Sequence, residues 1–205
     1  MKERNPHALR GVVCAALGGV CWGFSGTCGQ YLFSRFEVSS LWLTCVRLLA
    51  GGILLTVPAL LRHRDSVLGI LRAPKDLLRL ICYGICGLLL CQYAYMTAIS
   101  WSNAATTTVL QNLGLVIVMG YTCLRSRRLP SRREGVALVL ALAGVYLLPT
   151  GGDPRHMALS PKGLFWGLAA AVAVALYTLL PQSLLSRWER DAVIGPGMLI
   201  GGLFL

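Results

Sequence analysis

One arginine lies deep inside an apolar stretch of the sequence. Arg47 is the only charged residue between Val38 and Leu61. A cation placed this far into a membrane span costs about 2.5–3.5 kcal/mol on insertion scales, so it normally faces protein or a water-filled cavity. Arg47 is therefore a candidate to bind a carboxylate or phosphate of a solute. The alternative is a structural arginine that snorkels or donates to neighbouring backbone carbonyls.

A second candidate is a run of amides and hydroxyls at 103–112. Asn103, Thr107 and Gln111 recur every four residues and share one face of a helix, which predicts a polar lining for a solute path. The alternative is interhelical hydrogen bonding, worth ~0.6 kcal/mol on average. Other candidates for contact with a solute lie in the remaining apolar stretches: Trp22, Gln92, Tyr95 and Tyr177.

A serine motif raises a third possibility, nucleophilic catalysis by a serine. Gly23-Phe24-Ser25-Gly26 is similar to the nucleophile motif of rhomboid intramembrane proteases. A serine nucleophile needs a base within reach, and the three histidines all lie outside the apolar stretches. A small-residue packing patch is the favoured interpretation, and an intramembrane serine hydrolase is the alternative.

The composition is that of a membrane protein. The chain is 56% hydrophobic and 13% charged, against about 25% charged for soluble domains. The net charge of +11 does not predict nucleic-acid binding, because the basic residues lie between apolar stretches. All eight cysteines fall within those stretches, which predicts neither a disulfide framework nor a metal site. No carboxylate lies within a predicted span, so no proton relay is visible.

The apolar stretches predict an all-α, polytopic membrane helix bundle. A span needs about 20 apolar residues. The uncharged stretch 80–124 is long enough for two spans, divided by a turn at 100–103. The other predicted spans are 11–33, 38–61, 135–152 and 163–186, with an incomplete seventh at 192–205.

The basic residues predict the orientation. Lysines and arginines are concentrated in the N-terminal tail and in the connections after the second, fourth and sixth spans. The positive-inside rule places these segments in the cytoplasm, so we expect a multi-pass protein of the cell membrane with a cytoplasmic N-terminus. Trp42, Trp101 and Trp188 lie near span ends and are predicted interfacial anchors.

An internal repeat predicts the architecture. Gly163–Glu189 resembles Gly11–Glu37 at an offset of 152, with identities concentrated at the end of the segment, including Gln30/Gln182 and Arg35/Arg187. The repeat restarts after five spans, and an odd number inverts the second copy in the membrane. Inverted repeats are typical of alternating-access transporters. The predicted units are 1–152, a five-helix repeat, and 163–205, the start of a second one.

Several short motifs recur in a familiar order. They are Trp22-Gly23, the segments 47–52, 95–100, 128–134 and 143–148, and Gly167-Leu168 followed by 177–181. In these motifs the chain resembles the EamA-type transporters of the drug/metabolite transporter superfamily. It departs from many members at Arg127, where they carry an acid, and at Leu115, where they carry a proline.

The resemblance implies ten helices in two inverted halves. It implies transport, often export, of small metabolites such as amino acids or drugs, with no bound cofactor and with the lipid bilayer and a small-molecule substrate as partners. Six spans and part of a seventh are fewer than ten. The alternatives are therefore a homodimer, a chain that needs a C-terminal half, or a non-transporting fragment or assembly subunit.

Overall fold

The computed structural model describes residues 6–36, 38–150 and 160–205. The described residues form helices and no strand. The elements are α1 (Pro6–Phe36), α2 (Ser40–Arg62), α3 (Arg64–Arg72), α4 (Pro74–Cys82), a π-helical segment (Tyr83–Leu89), α5 (Leu90–Trp101), α6 (Ala104–Arg125), α7 (Arg132–Thr150), α8 (Pro161–Leu179), α9 (Gln182–Leu185) and α10 (Arg190–Phe204).

Five described helical segments are long and apolar enough to cross a membrane. They are Gly11–Phe36, Ser40–Arg62, Pro74–Trp101, Ala104–Arg125 and Pro161–Leu185. The apolar part of α7, Glu134–Leu147, is shorter. The predicted all-α polytopic bundle is confirmed. Six full spans and an inverted repeat of five stay predictions.

The basic connection after the second span differs from the prediction. Residues 64–82 form the helices α3 and α4 rather than a loop, and the third span begins at Pro74 instead of Leu80. Pro74 occupies the first turn of α4, where its missing N–H leaves no donor unpaired. Asp76, predicted to lie in a loop, consequently lies in the first turn of a helix that continues into the span.

Small residues bring α10 close to the π-helical segment. A Cβ added to Gly84 would lie 2.7 Å from the carbonyl oxygen of Gly197, and one added to Gly201 would lie 2.8 Å from the carbonyl oxygen of Gly84. A side chain at either position would therefore push the two backbones apart. The close approach lets α10 pack between α2 and the π-helical segment.

Two core clusters lie at different levels of the bundle. The first joins α3, α4, α9 and α10 through Val67, Ile70, Leu80, Leu184 and Val193. It lies towards what we name the basic side, the membrane surface that carries the α2–α4, α6–α7 and α8–α10 connections. The second cluster lies on the other side and includes Tyr95, Met96 and Ile99 of α5. Residues 91 and 92, at the start of α5, lie between the two levels.

Candidate functional site

A cavity of about 600 Å³ lies between the two core clusters. This volume falls in the range of about 300–1,000 Å³ that is usual for small-molecule sites. Residues from α1, α5, α6, α8, α10 and the π-helical segment form its wall. They are Gly19, Trp22, Gly23, Leu88, Cys91, Gln92, Thr108, Gln111, Asn112, Leu115, Val174, Tyr177, Thr178, Ile194 and Met198.

Four of the side chains predicted from the sequence meet in this wall. Trp22, Gln92, Gln111 and Tyr177 come from four different helices. The ring of Tyr177 stacks on the ring of Tyr83 with 5.9 Å between centroids. The wall thus combines aromatic faces with amides, and none of the described residues that line it carries a charge.

The two cavity glutamines have different hydrogen-bonding states. Gln111 donates from Nε2 to the Sγ of Cys91 at 3.7 Å, a weak acceptor. The Oε1 of Gln92 is buried and has no hydrogen-bond partner within the described structure. An unpaired buried acceptor costs roughly 1–3 kcal/mol. Gln92 therefore offers an acceptor to a bound molecule or to water.

Tyr95 stands directly behind the cavity wall. Its ring lies 6.0 Å from the ring of Trp22, and its hydroxyl lies 3.1 Å from the Oγ1 of Thr108. Gly26 makes room for it, since a Cβ at that position would lie 2.7 Å from the Tyr95 hydroxyl. Tyr95 is fully buried and positions two wall residues instead of lining the cavity itself.

Arg47 is not among the residues that line the cavity. It is half-buried, and its Nη1 donates to the Sδ of Met96 at 3.6 Å. Met96 follows Gln92 by one turn of α5. Gly51 follows Arg47 by one turn of α2 and lies against Met198, which lines the cavity. A thioether is a weak acceptor, so the guanidinium keeps most of its hydrogen-bonding capacity.

Asn103 and Thr107 do not line the cavity. The Oδ1 of Asn103 accepts from the backbone N of Thr106 at 2.8 Å and caps α6. The hydroxyl of Thr107 lies 3.0 Å from the Oγ of Ser102 in the preceding turn. The polar face of α6 is therefore rotated by one residue from the predicted one, and Thr108, which sequence reasoning did not select, joins the wall. The signal for Asn103 was its position at a helix start, where asparagine is a preferred N-cap.

The sequence of this chain matches a known protein family. The model of the EamA-like transporter family matches residues 9–150. The chain belongs to the EamA-like transporter family. Over 196 residues it is 37% identical to the uncharacterized inner membrane transporter YicL of Salmonella typhimurium (strain LT2). The match covers 96% of this chain and 65% of that relative, so the chain spans about two thirds of the relative's length. No solved structure matches.

The alternative of an intramembrane serine hydrolase finds no support among the described residues. Ser25 is half-exposed on α1, and among the described residues no hydrogen bond joins it to a basic side chain. His63 lies at the far end of α2, where it connects α2 to α3. The structure therefore assembles no nucleophile and base around Ser25 in the part of the chain it describes.

Trp188 differs from the predicted interfacial anchor. Its ring packs against Gly69 of α3, and its Nε1 donates to the Oδ2 of Asp76 at 3.1 Å. The reason is that residues 64–82 fold into helices that reach the connection between α9 and α10. In this EamA-like chain the indole is thus an internal contact, half-buried.

Proposed function

We propose that this chain forms the solute-binding part of a membrane exporter for a small polar metabolite, such as an amino acid or a drug. The unpartnered Oε1 of Gln92 in the cavity wall carries the proposal. A buried acceptor without a partner is uncommon in native proteins and calls for an explanation such as a bound ligand, ion or water. A transported solute with an N–H or O–H group would satisfy this acceptor.

The rest of the wall fits a solute with both polar and apolar parts. Trp22 and Tyr177 offer ring faces, while Gln111 and Asn112 offer amides. Arg47, which contacts Met96 one turn along α5 from Gln92, would attract an anionic group of the same molecule.

We propose that the transporting protein contains further helices that complete the bundle described here. At the repeat offset of 152, Gly18 and Gly19 of α1 correspond to Ala170 and Ala171 of α8. Both alanines are fully buried, in the helix that packs on α5 and α6. A Cβ at either glycine would meet nothing within 4 Å. This difference supports a second pair of helices, from a C-terminal half, covering α1; a homodimer is the alternative.

Alternating access follows from the proposed inverted repeat. Two halves related by a pseudo-twofold axis can expose the same midplane cavity to either membrane face in turn. The positive-inside rule places the basic side in the cytoplasm of an inner membrane. The solute would enter the cavity from that side and leave on the other.

An efflux screen tests the proposal. Cells that make the protein are compared with cells that lack it for the metabolites in the medium and for sensitivity to added metabolites. We expect at least one metabolite to accumulate outside the cells that make the protein. If no metabolite differs across the screen, the assembly-subunit alternative is favoured instead.

Two matched substitutions then place transport in the cavity. Gln92 and Thr56 each have a buried side-chain oxygen without a partner among the described residues, but only Gln92 lines the cavity; Thr56 faces Gly195 of α10. Gln92→Met and Thr56→Val both remove the unpaired oxygen at similar volume. We expect Gln92→Met to abolish efflux and Thr56→Val to retain it. Equal efflux by both variants would contradict the cavity as the solute site.

A further inference from the structure

The connection between α9 and α10 is fastened to α4 through a buried carboxylate. Asp76 is 5% exposed. Its Oδ2 accepts from the Nε1 of Trp188 at 3.1 Å. Its Oδ1 lies 3.3 Å from the Nη1 of Arg79 and 3.9 Å from the Nη1 of Arg187. Two consecutive residues of the α9–α10 connection therefore converge on one acid that lies more than a hundred residues earlier in the chain.

The indole of Trp188 fits a space that only glycine leaves open. A Cβ added to Gly69 would lie 2.6 Å from both the Cη2 and the Cζ3 of Trp188. Glycine inside a helix costs about 1 kcal/mol relative to alanine, so its presence in α3 has a packing reason. Gly69 and Asp76 thus hold the ring and the N–H of the same tryptophan, from two successive helices.

This contact covers the cluster that closes the cavity on the basic side. Val67 and Ile70 of α3 pack with Leu184 of α9 and Val193 of α10 in that cluster, and Trp188 packs against it. The cluster adjoins the cavity directly, because Leu88 belongs to the cluster and lines the cavity, and Tyr177 of the cavity wall packs against the cluster and stacks on Tyr83. A route from the cavity through this cluster to the basic side would part α3 and α4 from α9 and α10.

We propose that Asp76 and Trp188 form a latch that holds the cavity closed towards the basic side. The inference rests on the proposed transport function, because it assigns a gate to that cavity. A buried carboxylate stabilises the closed state only while its donors stay in place. When the latch parts, Asp76, Arg187 and the indole N–H all reach water at the membrane surface, so opening leaves no buried charge unpaired. The contact is therefore suited to repeated opening and closing.

The latch predicts access of a reagent to Cys91, which lines the cavity and is buried. The protein in membrane vesicles that expose the basic side is treated with a membrane-impermeant maleimide, and alkylation of Cys91 is followed by mass spectrometry. Asp76→Asn removes the charge, and Trp188→Phe removes the N–H donor but keeps a ring. Asp65→Asn, at an exposed acid in the first turn of α3, is the control.

We expect the Cys91 alkylation rate to rise at least about fivefold in Asp76→Asn and Trp188→Phe, the factor that corresponds to losing about 1 kcal/mol of a hydrogen bond. The rate in Asp65→Asn should equal that of the wild type. An unchanged rate in both latch variants would overturn the proposal. So would an equal rise at the buried Cys123, since that reports general loosening.

The experiment separates the latch from the transport proposal because labelling needs no solute. A rise at Cys91 confined to vesicles that expose the basic side supports the latch, even if the efflux screen finds no metabolite. An equal rise in vesicles of the opposite orientation would contradict a latch on one side.

Discussion

The hydroxyl of Tyr95 and the Oγ1 of Thr108 lie 3.1 Å apart and join α5 to α6 beside the cavity. Thr108 also donates to the carbonyl of Ala104 at 2.7 Å, so its hydroxyl accepts from Tyr95. The bond fixes the ring against Trp22. The aromatic part of the wall therefore depends on a hydrogen bond formed outside the cavity.

Tyr95→Phe should weaken transport without removing it. The substitution keeps the ring but loses one interhelical hydrogen bond, worth ~0.6 kcal/mol in a membrane protein. We expect a small loss of thermal stability and a raised KM for efflux, because the position of Trp22 is less well defined. Efflux kinetics with a wild-type KM would contradict the positioning role of Tyr95.

Asn103 should affect stability and not the intrinsic transport rate. Replacing an N-cap asparagine by alanine typically costs ~1 kcal/mol, while aspartate caps equally well. Asn103→Ala should therefore lower the unfolding temperature, and Asn103→Asp should restore most of it. Efflux per folded molecule should match the wild type in both variants. A loss of efflux in Asn103→Asp at normal stability would indicate instead that Asn103 contacts the solute.

The contacts of Glu134 at the start of α7 predict an unusually low pKa for its carboxyl group. The side chain of Glu134 accepts from both terminal nitrogens of Arg128 at 2.9 Å and from the backbone N of Ser131 at 2.7 Å. The Arg128 guanidinium, followed by the Ser131 N–H, lowers the pKa of Glu134 to about 2 from the ordinary 4.5. Together with Ser131 it forms a capping box.

Because the folded pKa lies below the unfolded one, this contact stabilises the α6–α7 connection fully above pH 4.5 and loses its effect as the pH falls towards 2. Side-chain ¹³C NMR measures the titration, with Glu134→Gln to assign the signal. Arg128→Lys removes the bidentate geometry and should move the pKa of Glu134 back towards 4.5. A wild-type midpoint near 4.5 would contradict the contact.

Hydropathy and turn residues were enough to predict the polytopic helix bundle and the break between α5 and α6. Long apolar runs have no alternative to helices in a bilayer, and Asn103 falls on the predicted turn as the cap of α6. The serine and glutamate of the capping box at Ser131 and Glu134 are also a local sequence signal. These features depend on residues close together in the chain, which explains why they were predictable.

The rotation of α6 and the role of residues 64–82 were not predictable in the same way. Thr107 and Thr108 are chemically identical, and only the neighbouring α5 and α8 decide which of them faces the cavity. The 64–82 segment reads as a basic loop because its helices are short and most of its charges face outwards. The contact between Asp76 and Trp188 joins residues 112 positions apart, and no local sequence pattern predicts such a pairing.

The cavity as a solute site is tested most directly by thermal unfolding of the purified protein with the metabolite that the efflux screen identifies. At a concentration 100 times its Kd, a solute that binds only the folded state adds about 2.7 kcal/mol of stability. We predict this gain for the wild type and for Thr56→Val, and its loss in Gln92→Met and Gln111→Leu. The same gain in all four proteins would contradict binding in the cavity.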